Sequence, residues 1–174
     1  QSLVLSLSAN LRSRGSKMYE GIEEYKFYGT HALEVVKLSE TKVFGRYVDV
    51  LTVAPLLGFE YGRTAEENHE DGEERKIFLK QLQDANARFE MNYKAIILLD
   101  KEHDQSEESR FRKAFQTLPE NRDKADLDRY ESYVRGGVDF LYEKIIGSGN
   151  APDERLRQIF DLTDSFADRY QLHG

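Results

Sequence analysis

The chain of 174 residues contains no cysteine and no tryptophan, and only three prolines, two methionines and four histidines. Without a thiol it can build no disulfide scaffold, thiolate zinc site, iron–sulfur cluster or cysteine nucleophile. The lack of cysteine also fits a reducing compartment. Positive charge is in deficit: 25 Lys and Arg stand against 32 Asp and Glu, a net charge of −7 and a pI near 5.2. Such a balance disfavours long-range attraction to nucleic acid and to anionic membranes, because phosphate binding relies on Lys and Arg. The signature loops of several enzyme classes are missing too. There is no G-x-S-x-G elbow, no phosphate-cradling G-x-x-x-x-G-K-[ST], and no glycine-rich dinucleotide fingerprint after a strand.

Long apolar runs are also scarce. SLVLSLSA (residues 2–9) is too short and lacks the basic leader of a secretory signal peptide. The richest stretch, FGRYVDVLTVAPLLGFEYGR (44–63), carries Asp49 inside it and falls short of the roughly twenty apolar residues a membrane span needs. These features predict a cytoplasmic protein that does not span the membrane.

What is present is a globular composition: 39% hydrophobic and 33% charged residues, with ten Phe and ten Tyr. The expected fold is mainly α, a single-domain bundle of five to seven helices over residues 31–174, with one short β-strand pair near residues 31–38. Residues 1–30 form an N-terminal segment whose periodicity fits neither state alone: Leu3, Leu5 and Leu7 alternate, whereas Met18, Ile22 and Tyr25 recur at helical spacing. HALEVVKL (31–38) reads as the strand, with Ser39 as the cap of a following helix. A helix over about 41–54 places Phe44, Tyr47, Val48, Leu51 and Ala54 on one side. Pro55 should bend or stop it, and Gly58 and Gly62 should let the chain turn.

The acidic segment TAEENHEDGEE (64–74) predicts an exposed connection. From Glu73 a long helix carries Ile77, Phe78, Leu82, Ala85, Phe89 and Tyr93, and AIILL (95–99) is compatible with its continuation or with a buried strand. Phe111, Ala114, Phe115 and Leu118 stripe a short helix before Pro119. Leu127, Tyr130, Val134, Gly137, Val138, Leu141 and Ile145 give the clearest helix, ended near Gly147. Gly136 and Gly137 within it predict close approach of another backbone. A last helix behind Pro152, with Leu156, Ile159, Phe160, Phe166 and Tyr170, should form a hairpin with it.

Candidate chemistry is thin. Glu66–His69 and Asp100–His103 place an acid and an imidazole three residues apart, the spacing of ligand pairs in a metal-binding bundle. Both lie in very hydrophilic segments, where a solvated loop is the better reading. Asp49, alone among apolar neighbours, is the carboxylate best placed for a general acid, but reads better as a helix position turned to solvent or as a partner of Arg46 three residues back. A strand and two helices over 31–63 would match a ribbon-helix-helix DNA-binding arrangement, but Glu34 stands where groove-facing positions should be basic.

KLSETKVFGRYVDVLTVAPLLGFEYGR (37–63) together with LDRYESYVRGGVDFLYEKI (127–145) resembles the small proteins associated with bacterial Dnd DNA-phosphorothioation and related anti-phage gene clusters. The resemblance covers about half the chain. It implies a cytoplasmic helper in nucleic-acid defence that acts through protein partners. The acidic balance departs from that pattern and weighs against direct DNA contact.

The sequence therefore predicts a non-enzymatic protein-interaction module, with a protein partner or a second copy, no catalytic or metal-binding set and no cofactor. Arg46, Phe59, Tyr61 and Arg63 are its candidate partner-binding residues. Two other classes remain open: a nucleic-acid binder using Arg12, Arg14, Lys17, Arg46 and Arg63, and a metal-dependent enzyme with carboxylate and histidine ligands.

Overall fold

The computed structural model describes residues 18–147, apart from residues 20 and 42, together with residues 157 and 161. Of the expected terminal helix behind Pro152 only Arg157 and Asp161 are among these residues, both helical, and Arg12, Arg14 and Lys17 lie outside them. Between Glu24 and Ile145 the order is β1 (Glu24–Tyr28), α1 (Gly29–Glu40), α2 (Tyr47–Glu60), β2 (Glu74–Phe78), α3 (Leu79–Leu99), α4 (Glu107–Phe115) and α5 (Lys124–Ile145). The domain is thus mainly helical with one short strand pair, as the sequence predicts. No helix among the described residues is long and apolar enough to cross a membrane.

The strand pair is not where the sequence placed it. HALEVVKL belongs to α1, whose buried residues include His31, Ala32, Val35 and Leu38, a helical stripe rather than an alternating one. Two adjacent valines gave it a strand-like look, but tertiary packing decides. Ser39 is not an N-cap; it lies inside the helix and its hydroxyl donates to Val36 O at 2.7 Å. The strands are EYKFY and ERKIF, antiparallel, with Tyr25 opposite Ile77 and Lys26 opposite Lys76. Phe27 and Ile77 are buried on the inner face. On the outer face the facing lysines are neutralised by Glu24 and Glu74, which each contact both ammonium groups at 3.2–3.5 Å. β1 and Met18 belong to the same hydrophobic core as the helices, so the described part of the N-terminal segment is integral to the domain.

β2 also takes the first residues expected of the long helix. Ile77 is buried and Phe78 is 62% exposed, the alternation of a strand, and α3 starts only at Leu79. AIILL is the helical end of α3.

α2 contains Pro55 without stopping there; it runs to Glu60. Proline removes one backbone donor, and here Ala54, Pro55 and Gly58 are all buried, so packing holds the helix through it. A buried side chain also serves this helix: Asn92 Nδ2 of α3 donates to Thr52 O at 2.7 Å. Gly58 is therefore no turn. A Cβ there would lie 2.0 Å from Tyr133 O, whereas Gly62, at φ +60°, makes the turn that follows. The paired glycines of α5 behave as the sequence predicts. A Cβ on Gly136 would lie 2.1 Å from Arg63 O, and one on Gly137 1.8 Å from Ala54 O. α2 and α5 therefore meet backbone to backbone.

Candidate functional site

The four residues singled out in the sequence divide between two places. Arg46 and Asp49 form an exposed pair at 2.9 Å, as anticipated for Asp49. Phe59, Tyr61 and Arg63 all turn to α5: Phe59 meets Tyr133 edge to face at 5.5 Å between ring centroids, and Tyr61 stacks on Phe140 at 4.3 Å. Arg63 pairs with Glu143 at 2.5 Å. Both guanidinium groups already hold a carboxylate.

A different aromatic pair faces solvent. Ser106 caps α4, its hydroxyl oxygen accepting from Ser109 N at 3.2 Å, with Glu107 and Glu108 in the first turn and Arg112 and Lys113 in the last. The face that α4 turns to the domain carries Ala114 and Arg110, each about 95% buried or more. Arg110 donates from Nε to Leu98 O at 2.8 Å, in the last turn of α3, and from Nη1 to Asp104 O at 2.7 Å, in the loop that leads into α4. The phenylalanines point the other way. Phe111 and Phe115 are 49% and 53% exposed with ring centroids 5.1 Å apart, and Leu118 just beyond is 58% exposed.

The two acid–histidine spacings noted in the sequence do not converge. His69 lies in the connection before β2, where it contacts Glu67 at 2.6 Å and its ring meets Tyr28 at 4.1 Å. The His103 amide donates to Asp100 Oδ1 at 3.2 Å, which closes a turn, and its ring contacts Asp126 at 2.8 Å. Asp126 also accepts from Lys113, and Asp100 from Arg129 and Tyr133, so both buried carboxylates are partnered.

The one group of His and acid residues among the described residues with metal-ligand spacing is His31, Glu34 and Asp139, whose candidate ligand atoms lie within 4.8 Å of one another. His31 and Glu34, three apart on α1, share a face. Asp139 comes from α5, one position after Val138 in the buried stripe. His31 Nε2 and Asp139 Oδ1 are 3.1 Å apart. Burial, then the hydrogen bond and negative charge of Asp139, push Glu34 up to about 8. Burial would raise Asp139 as well; His31, the hydrogen bond with Glu34 and the charge of Arg63 outweigh it and hold Asp139 below the usual carboxylate value. Arg63 thus borders this cluster through Asp139 and Glu143.

A third feature is a polar cleft of about 700 Å³ between β1, the segment after α2 and α5. Glu131 forms its floor and accepts hydrogen bonds from Tyr19 OH at 3.1 Å and Tyr25 OH at 2.7 Å. Burial raises the Glu131 carboxyl above its ordinary value despite both donors. Arg129 and Arg135 line the walls, the latter anchored by Nε to Ala65 O at 2.8 Å.

The chain matches no protein-family model, no curated protein and no solved structure. Function therefore has to be argued from these three features. The signal for the histidine cluster was in the sequence as H-x-x-E at residues 31–34, with histidine first. A search for an acid followed by histidine passes over it, and a strand assignment puts the two residues on opposite faces.

Proposed function

We propose that this protein is a non-enzymatic interaction module whose partner protein docks on the outward face of α4, over Phe111, Phe115 and Leu118. The observation that carries this reading is that Arg110 is buried while its neighbours on the helix, Phe111 and Phe115, are half exposed. About half of each phenyl ring's surface is still in water after folding and is available for burial by a partner. Aromatic residues are the side chains that contribute most when an interface forms. Acidic residues at one end of the helix and basic ones at the other supply a polar rim that would fix the partner's orientation.

Phe59 and Tyr61, in this reading, serve by fastening α2 to α5, and Arg46 and Arg63 contribute at most at a rim. The resemblance of residues 37–63 and 127–145 to small proteins of DNA-phosphorothioation and anti-phage clusters supports a partner drawn from a nucleic-acid modification or defence system. The net charge of −7 favours contact through protein over direct contact with DNA or RNA.

The test compares wild type with a Phe111→Ser, Phe115→Ser double variant, by light scattering for self-association and by affinity capture from cells of the source. The expected result is a specific partner, or a second copy, retained by wild type and lost by the variant while its melting temperature stays within a few degrees. A monomer that captures nothing, or equal capture by the variant, would rule the surface out.

A further inference from the structure

The cluster of His31, Glu34 and Asp139 is separate from the α4 surface and stands independently of that reading. We infer that it is a binding site for one divalent transition-metal ion of the zinc class. His31 Nε2 and one carboxylate oxygen each from Glu34 and Asp139 would be the ligands, and water would occupy the remaining position.

The geometry is the first support. Ligands about 2.0–2.1 Å from a tetrahedral ion stand roughly 3.3 Å from one another. His31 Nε2 and Asp139 Oδ1 are already 3.1 Å apart, and the whole set lies within 4.8 Å.

The second support is an incomplete hydrogen-bond account. Glu34 Oε2 is buried, and no donor reaches it. A buried carboxylate oxygen without a donor is costly, and a cation between Glu34 and Asp139 would serve both carboxylates at once. One imidazole with two carboxylates is a donor set that suits zinc and its neighbours better than calcium or magnesium, which take oxygen ligands.

Charge also closes. Arg63 and Glu143 face the cluster and neutralise each other, which leaves two ligand carboxylates to balance a doubly charged ion around a neutral imidazole. Access is open, because Asp139 is 31% exposed at its side chain while His31 is buried behind it at 7%.

The experiment strips the full chain with chelator and titrates it with zinc by equilibrium dialysis, then with cobalt as a visible-absorption probe. Wild type should take up one equivalent of zinc. Cobalt should give visible bands of a four- or five-coordinate site, and zinc should raise the melting temperature. Glu34→Gln and Asp139→Asn, both close in shape to the residues they replace, should each weaken zinc binding by about tenfold or more. Their circular dichroism without metal should match wild type. His69→Ala, His103→Ala should leave binding intact, since those rings lie elsewhere. The proposal is overturned by wild type that binds no stoichiometric zinc, by weak uptake of several ions onto surface carboxylates, or by binding that survives Glu34→Gln and Asp139→Asn. Loss of binding in the His69, His103 double variant alone would equally overturn it.

Discussion

Glu90 and Arg122 face each other in the interior as a two-pronged pair, Nη2 to Oε2 at 2.6 Å and Nη1 to Oε1 at 3.0 Å. Both are more than 90% buried, and the guanidinium also sits 4.1 Å above the centroid of the Tyr93 ring. The pair joins α3 to the segment that leads into α5.

A buried pair of this kind is expensive to break from one side, because the surviving charge keeps no partner. Glu90→Ala and Arg122→Ala should each lose about 3–5 kcal/mol, and an apolar double variant, Glu90→Leu with Arg122→Met, should lose far less. Urea denaturation of the three variants measures this; additive losses would show that the pair does not act as a unit.

Gly137 offers a sharper case. A methyl group there would collide with the carbonyl of Ala54, which belongs to a packed helix and cannot step aside. Gly137→Ala should cost more than about 4 kcal/mol, although the same change in an exposed helix interior is stabilising. Gly62→Ala would strain only a solvent-facing turn at φ +60° and should cost about 1 kcal/mol. Melting curves for the two variants should therefore differ widely, and similar curves would mean that α2 and α5 do not touch as described.

The Glu131 carboxyl provides a test in pH. Burial raises it in the folded protein, so its contribution is most favourable below the ordinary glutamate value and is lost as pH rises through the raised one. Glu131→Gln keeps an acceptor for one tyrosine and removes the charge. The variant should gain on wild type as pH is raised from about 4 to about 8. Denaturation midpoints across that range give the answer, and a gap independent of pH would refute it.

Asn92 is 1% exposed, and its amide donates to Thr52 O in the turn that precedes Pro55. Asn92→Ala takes a side-chain donor from the Thr52 carbonyl and should cost about 1 kcal/mol. Amide exchange should speed up locally in α2. Loss of stability without faster exchange around Thr52 would place the effect elsewhere.

Long periodic segments were legible before any coordinates. The stripe from Tyr130 to Ile145 marks α5, and Val48, Leu51 and Ala54 mark the buried side of α2, because many residues must agree on one period. The two strands were not legible. Each is five residues long and half-buried; β1 interleaves Glu and Lys with aromatics and β2 runs Glu-Arg-Lys before Ile and Phe, so neither length nor composition separates them from a helix end. Pro55 misled for a local reason, since proline speaks only for one hydrogen bond while Ala54 and Gly58 carry the packing. At α4 the period was right and the facing was wrong: Phe111 and Phe115 looked like core, and Arg110 took that place by reaching backbone carbonyls no apolar side chain could satisfy.

That exchange has a consequence for how α4 is attached. Its inward face contributes Ala114 and Arg110, so the helix is seated by one small side chain in the core together with the Arg110 hydrogen bond to Leu98 O and the Lys113 bridge to Asp126. Attachments of that kind can open one at a time while the remaining core stays intact. The contacts of Arg110 and Lys113 are therefore the ones whose removal would release the helix that carries Phe111 and Phe115 while the remaining core stays packed.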